Sequence, residues 1–150
     1  MSDQQTHDLS VDSLLAEFGA PETFDIKLPN GAALKFQGFG TYAEKKAFQK
    51  EKAAWVKQLT DAKNAAVKGN DNDLLPLPFR ELGDLISPEN LDAAYTIHRL
   101  CVSPGFTPVE AVKLTRAHQL VSYIMDDLTW NSANYLVKAK AEAYGEAKKD

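Results

Sequence analysis

Two short segments of alternating polarity, joined by a turn sequence, constrain the fold of this chain more than any other feature. Phe24 to Leu28 and Leu34 to Gln37 alternate apolar and polar side chains, and a Pro-Asn-Gly-Ala sequence at 29–32 lies between them. Alternation with a period of two indicates a half-buried strand, and an Asn-Gly pair favours the type I′ turn of a tight hairpin. The sequence therefore predicts a β-hairpin at 24–37. Its apolar face consists of Phe24, Ile26, Leu28, Leu34 and Phe36.

A lone hairpin is marginal in water, so its apolar face requires helices to pack on. The sequence Thr-Tyr-Ala-Glu at 41–44 has the pattern of a capping box and begins a predicted helix that ends near Lys68, with Gly69 as its C′ residue. A second capping box at 107–110 begins a helix that is predicted to run to about Leu128. Further predicted helices cover residues 11–18, 79–86, 88–102 and a last segment capped by Asn131.

These elements fit a single domain, because 150 residues is about the size of one. The predicted fold class is α+β, mostly α, with the N-terminal hairpin packed on a bundle of about five helices. Residues 1–10 are predicted to form a disordered tail and residues 141–150 a fraying tail. The mostly helical domain between them spans residues 11–140 and contains the hairpin at 24–37.

The charge balance argues against one class of partner. The net charge is −4 and the pI is about 5.4, whereas sequence-independent binding to nucleic acid requires a clustered positive face. The same acidity argues against binding to an anionic membrane surface. We therefore expect neither a nucleic-acid partner nor a membrane partner.

The N-terminal sequence and the cysteine content predict a cytoplasmic protein. Residues 1–7 are polar and lack the apolar segment of a secretory signal, and no stretch approaches the roughly 20 apolar residues that a membrane span requires. Cys101 is the only cysteine, which fits a reducing compartment. Its apolar neighbours at helical spacing predict a buried structural thiol.

The residue types that carry catalysis or bind metals are scattered along the chain. His7 lies in the tail, whereas His98 and His118 fall in separate predicted helices without a neighbouring nucleophile. The Asp-rich segment at 70–73 lacks the Gly and Glu of a calcium loop, and the Gly-Phe-Gly sequence at 38–40 is interpreted as a turn into a helix. We therefore expect a protein that is not an enzyme and has no cofactor or metal. A small enzyme with a cryptic site at His98 or His118 stays as an alternative.

Protein binding is the class of function that the sequence favours. The helices joined at residues 103–107 resemble a helix-turn-helix, but the second one begins with apolar and acidic residues, so we interpret the pair as an αα-hairpin of the core. Trp130 lies at a predicted helix junction outside the main apolar stripe, where the alternative role is to seal that junction. The unpaired edges of the hairpin are a second place for a partner or a second copy to add. The predicted partner-binding residues are Trp130, Tyr135, Phe106 and Phe39.

The order of these parts resembles a known family. A short β segment around Pro29-Asn30-Gly31 precedes a helical bundle whose later part contains Thr-Pro-Val-Glu-Ala-Val-Lys-Leu at 107–114 and Leu-Val-Ser-Tyr-Ile at 120–124. Over about residues 22–140 the chain is similar to the tail assembly chaperones of long-tailed bacteriophages. The resemblance implies an acidic helical protein of the host cytoplasm that coats the tape measure protein, recruits tail tube subunits and is absent from the finished virion. It carries over no individual binding residue.

Two other functions stay open beside the chaperone. One is a structural component of a phage particle, such as a minor tail or connector subunit, and the other is the small enzyme with a cryptic site. Self-association is also compatible with the sequence.

Overall fold

The computed structural model describes residues 9–18 and 23–133, and excludes the side chains of residues 17, 18 and 129–133. Within these residues, five α-helices and three strands follow one another in the order α1, β1, β2, α2, α3, β3, α4, α5, with two 3-10 segments, Asn72–Leu74 and Leu77–Leu85, between α2 and α3. The predicted class, α+β and mostly α, is confirmed. The bounds are α1 Val11–Phe18, β1 Thr23–Lys27, β2 Ala33–Gln37, α2 Tyr42–Gly69, α3 Pro88–Leu100, β3 Cys101–Ser103, α4 Pro108–Leu114 and α5 His118–Ala133.

The hairpin is present, but its turn differs from the predicted type I′. Ile26 pairs with Leu34, the Leu28 N–H donates to the Ala32 carbonyl at 2.8 Å, and the Gly31 N–H donates to the Leu28 carbonyl at 3.0 Å. Within the loop at 29–31, Gly31 is the residue with a positive φ, +91°. The loop is therefore a type I turn followed by a left-handed glycine. A two-residue loop would place Pro29 in a hydrogen-bonded pair, and proline has no N–H to donate. The three-residue loop avoids that loss.

This register places the predicted apolar face towards the core. Ile26, Leu34 and Phe36 are buried, and Phe24 and Leu28 pack against them while half-buried. A register shifted by one residue would turn one of the two strands over and expose its apolar side chains. The loop and the burial of the face therefore favour the same pairing.

A third strand, β3, covers the second edge of the hairpin. It pairs antiparallel to β2, which makes β2 the central strand of the sheet. The sequence assigned Cys101 and Val102 to the end of a helix, but α3 ends at Leu100 and Cys101 is extended, with φ −80° and ψ 115°. Ser103 precedes Pro104, and a residue before proline is directed away from helical geometry. The predicted helix end at 101–102 is therefore wrong.

The helix predicted from Pro108 to Leu128 is divided into α4 and α5. The hydroxyl of Thr115 donates to the Val112 carbonyl at 2.6 Å, and the N–H of Ala117 donates to the Leu114 carbonyl at 2.9 Å. Such bonds to the third preceding residue tighten the backbone and end the regular helix. At the other end, α5 continues through Asn131, so the predicted helix start there is also wrong.

The helix ends follow the predicted capping logic, with two adjustments. Asn70, not Gly69, takes the left-handed conformation after α2, with φ 50°; asparagine tolerates this region. Glu44 bonds the Gly40 N–H at 2.9 Å instead of the N–H of Thr41. The capping box at Thr107 and Glu110 forms in full, and its bonds to the Thr107 backbone and hydroxyl lower the pKa of Glu110.

Two clusters of buried side chains form the core. The first joins the hairpin to α2, α3 and α5, and the second joins α2, the 3-10 segment Leu77–Leu85, α3 and α4. Trp55 and Phe106 pack against both clusters, so the two are continuous. No helix among the described residues is long and apolar enough to cross a membrane. The predicted tails lie almost wholly outside the described residues.

Candidate protein-binding surfaces

The end of the sheet, the start of α2 and the end of α3 enclose a cavity of about 290 Å³, here called the sheet-end pocket. Its walls include Gln37, Phe39, Phe48, Glu51, Arg99 and Leu100. Phe39, one of the predicted partner-binding residues, is half-buried and packs on Phe48 with 5.1 Å between ring centroids. The structure thus places this predicted residue in the wall of a cavity.

The chain bends at Gly40 and Thr41 as it passes from β2 into α2. A Cβ atom at Gly40 would lie 2.9 Å from a carboxylate oxygen of Glu44, the same oxygen that accepts the Gly40 N–H. Thr41 caps α2 by accepting the Glu44 N–H at 3.2 Å. This tight junction holds Phe39 at the entrance to α2, as the interpretation of residues 38–40 as a turn predicts.

Arg99 supplies the positive charge in the lining of the sheet-end pocket. Its Nη1 donates to Glu51 at 2.9 Å and to the hydroxyl of Tyr95 at 2.6 Å, and its guanidinium lies 5.5 Å from the Tyr95 ring centroid. The hydrogen bond to Glu51, followed by charge attraction, raises the pKa of Arg99 although partial burial opposes the shift. These bonds fix one edge of the guanidinium. The other donors have no partner among the described residues.

Sequence reasoning missed Arg99 because its partners are distant in the chain. Glu51 lies 48 residues away, and Gln37, which donates to the Arg99 carbonyl at 3.3 Å, lies 62 residues away. The weak local signal was Tyr95 one helical turn before Arg99, a spacing that brings the two side chains together.

Of the other predicted partner-binding residues, only the side chain of Phe106 is described. Phe106 is half-buried between the two core clusters, and its carbonyl accepts from Nδ1 of His98 at 2.7 Å. Trp130 falls within α5, but its side chain is outside the described residues, and so is the whole of Tyr135. Phe106 is not among the residues that line the sheet-end pocket, and the role of all three residues in binding stays a prediction.

The residues of the alternative enzyme hypothesis are separated. His98 is half-buried against Tyr95, and its Nδ1 carries the proton because a carbonyl can only accept. His118 is exposed at the start of α5. Cys101 is buried as predicted, donates to the Pro104 carbonyl at 3.0 Å, and has a raised pKa because burial disfavours the thiolate. Within residues 9–18 and 23–133 no group of His, Cys, Asp and Glu is arranged to hold a metal ion.

A second surface, here called the α2–α3 groove, was not found from the sequence. It is an open, mostly apolar depression of about 510 Å³ with Ala53 and Val56 along α2 and Pro88 at the start of α3. Lys52 bonds Asp92 at 3.3 Å across it, and Lys57 bonds Asp61 at 2.7 Å along its rim. Oγ1 of Thr60, in the same wall, is buried and without a hydrogen-bond partner among the described residues.

Apolar side chains of α1 are also exposed. Val11, Leu14 and Leu15 retain 71%, 39% and 64% of their accessible surface. The prediction of a short amphipathic helix at 11–18 is confirmed, but its described apolar side chains are not buried in the core. The exposed face of α1 is therefore a third candidate surface, beside the sheet-end pocket and the α2–α3 groove.

Comparison of the chain with protein-family models, with curated proteins and with solved structures finds no match in any of the three.

Proposed function

We propose that this chain is a non-enzymatic protein that binds another protein through the sheet-end pocket. The observation that supports this proposal is the pairing of Phe39 and Arg99 in one cavity wall. Aromatic residues and arginine are the types that most often dominate the binding energy of protein interfaces. The rigid junction at 38–41 and the bonds of Arg99 hold both side chains in place before a partner arrives, which reduces the entropy lost on binding.

The pocket chemistry suits an apolar anchor from the partner. Such a side chain packs on Phe39, while a neighbouring backbone carbonyl accepts from the unengaged guanidinium donors of Arg99. The carboxylates of Glu44 and Glu51 also line the cavity, so an acidic anchor would be repelled. The expected partner segment is therefore apolar and neutral or basic.

The particular protein-binding role that we propose is that of a tail assembly chaperone of a long-tailed bacteriophage. The resemblance over residues 22–140 motivates it and implies two partners, the tape measure protein and the tail tube subunits. In this role the chain acts in the host cytoplasm and leaves the particle before it is complete.

Co-expression tests this role. A tape measure protein of a long-tailed bacteriophage is expressed alone and together with this chain. The proposal predicts that the tape measure protein becomes soluble and co-purifies only when the chain is present. A tape measure protein that stays insoluble and unbound in both cases contradicts the chaperone role.

Mass spectrometry of purified virions tests the same role against a structural one. A chaperone is absent from the finished particle, whereas a minor tail or connector subunit persists in it. Detection of this chain at the stoichiometry of a tail component would replace the chaperone proposal by the structural alternative.

A further inference from the structure

The α2–α3 groove has the dimensions of a seat for a short helix. Its α2 wall is formed by Gln49, Lys52, Ala53, Val56, Lys57, Thr60 and Asp61, a spacing of three and four residues that repeats along one helix face. From Gln49 to Thr60 the helix advances by eleven residues, so this part of the wall is about 16 Å long. Ala53 is small, so a helix laid against it can approach α2 closely.

The exposed helix α1 has the complementary shape. Its eight residues correspond to about 12 Å, which fits within the groove. Val11, Leu14 and Leu15 follow the spacing by which an amphipathic helix enters an apolar groove, and all three are exposed. The groove stays open although α1 belongs to the same chain, so α1 does not cover it within one copy.

Charge also favours contact between these two segments. Residues 1–22 contain five acidic residues and no lysine or arginine, whereas α2 contains seven lysines and three acidic residues, a net charge of +4. The whole chain carries −4, so α2 is a cationic surface on an anionic protein. Lys52 and Lys57 are paired within the groove. The attraction therefore comes from the summed field of α2 and guides the acidic segment towards it.

We propose that α1 of one copy docks in the α2–α3 groove of a second copy, so that the chain self-associates. This contact shares no residue with the sheet-end pocket and goes beyond the proposed function. The docked helix covers Val56 and Ala53 with Leu14 and Leu15, and it closes the groove over the unpaired hydroxyl of Thr60. Exchange of α1 in both directions gives a closed dimer with two equal contacts.

Matched pairs of glutamate substitutions test the contact. Leu15→Glu removes an apolar side chain of α1, and Ala53→Glu places a charge in the groove; both positions are exposed, so the fold is retained. Their controls are Ala16→Glu and Ala54→Glu, exposed neighbours that make nearly the same charge change outside the contact. Sedimentation velocity over a range of micromolar concentrations gives the mass of each variant.

The proposal predicts that the wild type, Ala16→Glu and Ala54→Glu have a mass above the 16.5 kDa of one chain. Leu15→Glu and Ala53→Glu each weaken association by more than about tenfold. In an equal mixture of these two variants, one contact of the mixed dimer joins an intact α1 to an intact groove and the other carries both substitutions, so its association lies between those of the two variants alone. A wild type that is monomeric at all concentrations overturns the proposal. Controls as weak as the test variants also overturn it.

Discussion

The surroundings of Cys101 make it a structural thiol rather than a reactive one. It lies where α3 passes into β3, pairs with Phe36 in the register, and donates its thiol to the Pro104 carbonyl. Burial raises its pKa because a thiolate loses hydration in an apolar environment. The residue that the sequence offered as the only thiol is therefore a structural part of the junction between helix and sheet.

The raised pKa gives a prediction at alkaline pH. The folded chain holds the Cys101 proton more tightly than the unfolded chain, whose thiol titrates at about 8.5. The contribution of Cys101 to stability is therefore fully present below about pH 8.5 and is lost as the pH rises through the folded pKa. Urea denaturation from neutral pH to pH 10 should show a steeper fall in the free energy of unfolding for the wild type than for Cys101→Ala. Parallel pH profiles would contradict the assignment.

At the scale of the elements, the hairpin depends on one backbone conformation. Gly31 closes the three-residue loop at φ +91°, a region that costs a residue with a side chain about 1–2 kcal/mol. Gly105, by contrast, has no positive φ, and a Cβ atom added there meets nothing within 4 Å. A comparison of alanine substitutions at Gly31 and Gly105 therefore separates the cost of a positive φ from the general effect of replacing glycine by alanine.

We predict that Gly31→Ala lowers the free energy of unfolding by about 1 kcal/mol or more, whereas Gly105→Ala changes it little or raises it slightly. Chemical denaturation of both variants beside the wild type measures the difference. Equal stability of the two variants would show that the loop does not need the left-handed glycine.

The elements also show how far the sequence could predict the structure. Alternation identified both hairpin strands, because the apolar positions of a half-buried strand are a local property. The division of α4 from α5 comes with hydrogen bonds to the third preceding residue from the Thr115 hydroxyl and the Ala117 N–H, which periodicity does not report. Strand β3 exists only because it meets β2 some 65 residues away, and no local pattern specifies that pairing.

The candidate site divides in the same way. The turn at residues 38–40 was predictable from its two glycines, whereas the packing of Phe39 on Phe48 was not. Arg99 and the α2–α3 groove were not, since each is made by side chains that converge from distant parts of the chain. Trp130 and Tyr135 stay predictions.

At the scale of the whole molecule, α5 fastens the outer strand of the sheet to the helices. The hydroxyl of Tyr123 donates to the Lys27 carbonyl at 2.6 Å, a contact across 96 residues of sequence. Strand β1 lies at the edge of the sheet, and an edge carbonyl that is already bonded is less available to a foreign strand. This contact limits the use of the hairpin edge as a place for strand addition.

We predict that Tyr123→Phe lowers the free energy of unfolding by about 1 kcal/mol, because it removes this hydrogen bond and little else. Tyr42→Phe is the matched control, since Tyr42 is 73% exposed and its hydroxyl has no partner among the described residues. Hydrogen exchange at β1 should accelerate in Tyr123→Phe and stay unchanged in Tyr42→Phe. Unchanged exchange in both would show that α5 does not hold the strand.

If the sheet-end pocket binds the partner protein, the affinity of this chain for a phage tape measure protein depends on Arg99. Calorimetric titrations compare the wild type with Arg99→Ala and with Arg116→Ala, whose arginine forms an exposed ion pair with Asp84 away from the pocket. We predict that Arg99→Ala weakens binding by about tenfold or more, while Arg116→Ala binds like the wild type. Equal affinities for the wild type and a folded Arg99→Ala variant would contradict it.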